Sequence, residues 1–287
     1  MPVFQVLYQQ YGSSVQEESI AAFRRIHAAA FQDLTLRILV VDNRVAEPML
    51  LTPAPDVTVI DGDNTYREFT AFDKGWRFLE QLGALPGESV VLIANETFLR
   101  DAESADFHEL PRNARAIIAA NKLIGHVDGL SQRVRVFGLN LQEWIRSDFI
   151  LANATVVQAL MPFTVSEPND QLFGRNTGAF FVDRRDLSPE YREFIRGFVE
   201  GRPNVSMWRW PQATNIDAHN LAAFQLKARA ILSEHSLSAR AVSLGFLLHD
   251  LSPTQFPSKR LRHQLRALLY HTGLWRVIPR FRARFLP

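Results

Sequence analysis

Val40-Val41-Asp42-Asn43, Val59-Ile60-Asp61-Gly62-Asp63-Asn64 and Ala94-Asn95-Glu96-Thr97 are three places where an apolar run stops abruptly in polar residues. Each run has the composition of a buried strand. Over the first hundred residues such runs alternate with helical patterns: Val3 to Tyr8, a helix, Leu36 to Val41, Val57 to Ile60, a second helix, then Ser89 to Ala94. That alternation predicts an α/β fold with a mostly parallel sheet flanked by helices. In an open α/β sheet, ligands bind outside the carboxyl ends of the strands. Three polar-tipped strands therefore point to one polar site suited to a nucleotide-like ligand.

The connections carry their own signals. Ser14-Val15-Gln16-Glu17 and Thr65-Tyr66-Arg67-Glu68 both match capping boxes. The first opens a helix with Ile20, Phe23, His27, Ala30 and Phe31 on one stripe; the second opens one with Phe69, Phe72, Trp76, Leu79 and Leu82. Pro48, Pro53 and Pro55 predict an irregular connection. Asp101 to Asn113 reads as loop, and Ala114 to Ala120 fits strand or helix. Trp144 to Ala152 is apolar with interspersed charge. Asn176 to Val182 reads as a further strand. Ser188-Pro189 reads as the cap and first residue of a helix. Ile216 to Leu232 and Ser238 to Leu248 read as two helices, packed onto the sheet.

Composition sets outer bounds. The 287 residues contain no cysteine, which excludes disulfides and thiolate metal sites. Neither a basic, apolar leader nor a stretch near 20 apolar residues is visible, so no signal peptide or membrane span is expected. The net charge of +2 hides an asymmetry. Residues 256–287 carry Lys259, Arg260, Arg262, Arg266, Arg276, Arg280, Arg282 and Arg284 and no Asp or Glu, so the rest of the chain is acidic. Leu261, Leu265, Leu268 and Leu269 fall at helical spacing among these cations. A basic amphipathic helix of this kind suits an anionic membrane surface. The plainer alternative is a helix packing its leucines on the core. No base-reading motif accompanies the tail, so nucleic acid is not an expected partner.

The ordered set of motifs resembles the nucleotide-sugar glycosyltransferases of the GT-A fold, closest to bacterial family 2-like and rhamnan-synthesis-type enzymes of surface polysaccharide assembly. The carrying residues are Val40-Val41-Asp42-Asn43, Gly62-Asp63-Asn64 with Arg67-Glu68-Phe69, Ala71-Phe72-Asp73-Lys74-Gly75 and Ile93-Ala94-Asn95-Glu96-Thr97-Phe98. Asn176-Thr177-Gly178-Ala179-Phe180-Phe181-Val182 and Glu234-His235-Ser236-Leu237-Ser238 complete the set, over roughly residues 3–250. The resemblance implies a GT-A-like domain over 1–250 and leaves 251–287 as a helical, basic C-terminal extension. It implies a hexosyl- or deoxyhexosyltransferase that moves a sugar, with inversion, from a nucleoside diphosphate to a saccharide or lipid-linked saccharide. The expected place is the cytoplasmic side, peripheral on the inner face of the membrane.

Residue roles follow as expectations. Asp42, Asn43, Asp61, Asp63, Asn64 and Asn95 would contact the nucleoside; the plainer reading of each is turn or cap chemistry. Where the family carries an Asp-x-Asp motif, this chain has Asn95-Glu96-Thr97, so Glu96 would be the carboxylate for a weakly held Mg²⁺ or Mn²⁺. Glu234 matches a family position suspected as general base, with Asp217 and, ranked lower, His219 as alternatives. Asp73 and Lys74 read as a solvated helix face. Trp208 and Trp210 suit sugar stacking or a loop clamp, the clamp being favoured for Trp210. The rival function is a non-catalytic partner in a membrane-associated assembly complex. A methyltransferase or dehydrogenase is disfavoured because no Gly-x-Gly-x-x-Gly follows the first strand.

Overall fold

The computed structural model describes residues 1–11, 16–45, 47–99, 110, 114–202 and 210–251. Its strands are β1 (Val3–Gln10), β2 (Thr35–Asp42), β3 (Leu50–Ala54), β4 (Val57–Asp61), β5 (Val90–Asn95), β6 (Lys122–Val136), β7 (Leu139–Asn153) and β8 (Leu247–Asp250). They form one sheet in the order β3-β4-β2-β1-β5-β7-β6-β8. β4, β2, β1 and β5 are parallel neighbours; β3 and β7 run against them, and β8 is parallel to β6. The expected α/β fold with a mostly parallel sheet is therefore present.

Register decides where the polar tips go. Gln10 faces Asp42, Asp42 faces Asp61, and Gln9 faces Asn95. All three tips therefore sit on one edge of the sheet, within four neighbouring strands. Adjacent strands are about 4.8 Å apart, so the three share one rim.

The helices are α1 (Gln16–Ala30), α2 (Glu68–Gln81), α3 (Ala114–Ala119), α4 (Ala154–Ala159), α5 (Asn169–Leu172), α6 (Pro189–Glu200) and α7 (Leu221–Ser243). Side chains alternate faces along a strand. Val6 and Tyr8 accordingly pack with Phe23 and Ile26 of α1 and Ile117 and Ile118 of α3, while Leu7 points to the opposite side. There it joins Phe69, Phe72 and Trp76 of α2 and Ala230, Leu237 and Ala241 of α7. A third cluster sits where the β6–β7 hairpin runs past the sheet: Val134, Val136 and Leu141 meet Tyr191 and Ile195 of α6 and Phe224 of α7.

Several expectations change. The proline-rich connection holds β3, an edge strand, where Pro53 needs no ladder partner on its open side. Asn176 to Val182 is not a strand of the sheet; it makes one isolated bridge, Phe173 to Phe181. The two C-terminal helices are one continuous α7 followed by β8. Its polar midsection is not a break, because the buried serines are used: Ser233 accepts the N–H of Val165 and Ser238 that of Ile145, both at 3.1 Å. The second capping box does not form. Asp63 takes the Thr65 N–H and hydroxyl in a local turn, and α2 starts at Glu68 after Arg67, whose φ is 60°. Ser14 of the first box, the Asp101–Asn113 loop except Leu110, Trp208 and the basic tail lie outside the described residues.

Candidate functional site

The β2–β4 flank of the rim is built around one buried and one half-buried carboxylate, each of which already has a cation. Asp42 is 4% exposed. It accepts from the Arg44 guanidinium at 2.7 Å, the Arg44 N–H at 3.0 Å and Gln10 Nε2 at 3.2 Å. Burial pushes its pKa up, but these donors together hold it below the usual carboxylate range. Asp61 is treated alike: burial opposes ionisation, while Lys74 and the Met49 N–H outweigh it and lower the pKa. Asn43 donates to Asn64 Oδ1 and to the Arg67 carbonyl, each at 3.3 Å, and so ties β2 to the loop that opens α2. Gly62 lets this happen: a Cβ there would lie 2.7 Å from Asn43 Cα.

Asn95, at the tip of β5, ends its strand in a self-contained turn. Its Oδ1 accepts the Thr97 N–H at 2.9 Å and the Thr97 hydroxyl at 2.6 Å, and its Nδ2 reaches the Ser147 carbonyl at 3.4 Å. This tests the expected cation site. Of Asn95, Glu96 and Thr97, two spend their oxygens on each other and leave Glu96 as the one carboxylate of the triplet. Among the described residues there is no group of three or more His, Asp or Glu side chains able to hold a metal. That donor set does not fit a tightly held Mg²⁺ or Mn²⁺.

Beyond Asn95 the sheet bulges. Gly125 faces Ile150 and Val127 faces Ile145, so residues 146–149 of β7 bow out opposite His126. His126 and Asp148 are buried there, 3.3 Å apart, with Arg146 2.8 Å from the same Asp148 oxygen. The bulge also aims Ser147 at α7. The Ser147 N–H donates to Glu234 Oε2 at 2.7 Å, and its hydroxyl lies 3.4 Å from Glu68 Oε1 at the start of α2.

Glu234 is thus brought to the rim beside Asn95, through opposite ends of the same Ser147 backbone. Burial raises its pKa to about 7; the Ser147 donors and Lys227 pull it down, and Glu68 pushes it further up. Its neighbour His235 is structural. It sits 2.9 Å from the Tyr191 hydroxyl, packs on Trp144 and is kept neutral by burial, with its pKa lowered to about 3. A half-buried carboxylate that titrates near neutrality and borders a polar rim is equipped to take a proton.

The remaining residues separate clearly. Asp217 is exposed and caps the approach to α7, accepting the N–H groups of His219 at 2.8 Å and Asn220 at 3.0 Å. Glu234 lies about 20 Å further along that helix at 1.5 Å per residue, so Asp217 and His219 are not brought to it. Asp63 holds its own turn. Asp73 and Lys74 are not a solvated face: Asp73 is buried and accepts the N–H groups of Phe163 and Thr164, and Lys74 pairs with Asp61. Trp210 packs on Phe224, ring centres 5.1 Å apart, as a loop clamp. A groove of about 280 Å³ lies outside α2, lined by Met49, Leu50, Ile60, Asp61, Lys74 and Arg77; of the tips it touches only Asp61.

Sequence reasoning placed Arg67 and Glu68 in a motif and a capping box but gave them no site role, and it missed Ser147. Arg67 forms no ion pair among the described residues, although it stands on the rim beside Asn43. Phe137 and Gly138, with positive φ values of 49° and 78°, close the β6–β7 hairpin that carries Ser147. No protein-family model matches the chain, and no curated protein matches its sequence. No helix among the described residues is long and apolar enough to cross a membrane.

Proposed function

We propose that the protein is a glycosyltransferase of the GT-A type, which moves a hexose or deoxyhexose from a nucleoside diphosphate to a saccharide hydroxyl in bacterial surface polysaccharide assembly. One observation carries the reading. The polar tips of β2, β4 and β5 share a rim, and the same rim receives Glu234, a carboxylate that titrates near neutral pH.

On this reading the β2–β4 flank, with Asp42, Asn43 and Asn64, holds the nucleoside. The acceptor hydroxyl lies against Glu234. As its oxygen attacks the anomeric carbon, its proton passes to Glu234 and the diphosphate leaves from the opposite side, so the configuration inverts. Arg67 is a cation on the rim with no ion pair among the described residues, and it suits the departing diphosphate. No step is routed through a metal. β8 ends at Asp250, level with Gly125, Ile150 and Ile93, so the chain passes into its basic tail from the same rim. Three strand spacings, about 14 Å, separate it from β5. A tail bound to anionic lipid would therefore hold the rim near a lipid-linked acceptor.

A second reading has its own support. Asp42, Asp61 and Asn95 already have partners, as they would in a non-catalytic member of a membrane-bound assembly complex. Calorimetric titration with nucleotide sugars of different bases, with and without Mn²⁺, separates the two. Saturable binding, followed by transfer that Glu234→Gln abolishes, supports the enzyme; no binding to any of them favours the partner protein.

A further inference from the structure

Ser147 stands between two carboxylates. Its N–H donates to Glu234 at 2.7 Å, and its hydroxyl lies 3.4 Å from Glu68 Oε1. A hydroxyl has one proton to give and lone pairs to receive. Here the hydroxyl serves Glu68. Glu234 keeps the backbone N–H of the same residue, so one serine holds both carboxylates and brings their charges together.

We propose that Glu68 and Glu234, bridged by Ser147, act as one proton-accepting pair, in which Glu234 takes the proton of the acceptor hydroxyl and Glu68 holds Ser147 in place from the start of α2. The proposal rests on the transferase reading and adds Glu68 and Ser147 to it. The balance is simple. The acceptor O–H and the anomeric C–O bond to phosphate break; the new glycosidic C–O bond and the Glu234 O–H form; the diphosphate keeps the electron pair of the bond it leaves. Glu68 is a positioning residue that acts through Ser147.

The surroundings of Glu234 define what Glu68 contributes. From α7 it meets Lys227 and neutral His235, from α6 Tyr191, from β7 Ser147 flanked by the Arg146–Asp148 pair, and from α2 Glu68. Lys227 favours ionisation of Glu234, and Glu68 opposes it. Arg67, at φ 60° beside Glu68, is tied to Asn43, which links this half of the rim to the nucleoside flank.

The test is infrared difference spectroscopy of the full chain as a function of pH, the protonated Glu234 band being assigned by its loss in Glu234→Gln. The wild-type band should disappear near pH 7. Glu68→Gln, which keeps the shape and removes the like charge, should lower that midpoint by a fraction of a unit, and the acidic limb of the kcat profile should move with it. Glu68→Asp should restore most of the wild-type midpoint and covers the case in which Glu68→Gln fails to fold. An unmoved midpoint in Glu68→Gln, in a protein that still transfers sugar, overturns the pair and leaves the transferase reading standing. A moved midpoint supports the pair whether or not Glu68→Gln still transfers sugar, whereas a wild-type protein that transfers no sugar overturns the transferase reading and the pair with it.

Discussion

The two flanks of the rim handle negative charge in opposite ways. On the β2–β4 side each carboxylate has its own cation, Arg44 for buried Asp42 and Lys74 for half-buried Asp61, and both are held ionised. On the β5–β7 side Glu234 has another carboxylate, Glu68, across one serine, and burial, to which Glu68 adds a little, raises its pKa to about 7. A charge fixed at every working pH can orient a ligand but cannot exchange a proton during turnover. A carboxylate poised near neutrality can do both. The difference divides the rim into a side that holds and a side that reacts.

The strongest challenge to that division is Glu234→Gln. Removing a general base typically costs 10²–10⁴-fold in rate, so transfer should fall by about that factor while donor binding, read by calorimetry, stays within roughly three-fold. A variant that keeps full turnover would erase the distinction between the flanks.

Stability against pH gives a second contrast. The native state holds the Glu234 proton up to about pH 7, whereas an unfolded glutamate releases it near 4.5. Folding therefore loses stability as pH rises between those values, by at most about 3 kcal/mol at 1.36 kcal/mol per unit. Urea melts of Glu234→Gln and wild type at pH 5 and pH 8 should show the variant gaining relative stability at the higher pH. Asp42 works in the other direction: its lowered pKa gives stability that is lost as pH falls through the acidic range.

Gly62→Ala probes the holding side alone. A Cβ would strike the Asn43 backbone, so about 1–3 kcal/mol should be lost and donor affinity should fall with it. The midpoint of the Glu234 titration should stay in place; movement of that midpoint would show that the flanks are not independent. The smallest effect is expected from Arg44→Ala. Arg44 is 40% exposed, so its pair with Asp42 contributes about 0–1 kcal/mol, and a denaturant midpoint shift well beyond that range would mark Arg44 as more than a partner for Asp42.

The legible parts of the chain were those governed by local pattern. Val40-Val41-Asp42, Val59-Ile60-Asp61 and Ile93-Ala94-Asn95 announce strand ends because apolar runs of that length have few other uses, and their shared rim follows from parallel pairing. Glu234 was singled out by resemblance. Its partner Ser147 was hidden in a run of mixed character, because its position depends on a bulge set by a register shift between distant pairs. The apparent break before Ser238 was illegible for a related reason: serines look like helix breakers until distant N–H groups, from Val165 and Ile145, are found to need them. Glu68 looked like half of a capping box, and Asp63 had already taken Thr65.

Sequence alone determined the layering of helices on a mostly parallel sheet and the edge on which its polar ends gather, since alternation and apolar run length are properties of neighbouring residues. Tertiary structure alone decided which carboxylates are neutralised and which is left to titrate. That depends on what lies a few ångströms away in space, where Lys74 meets Asp61 and Ser147 meets Glu234 from far along the chain, and on how much water burial takes from each.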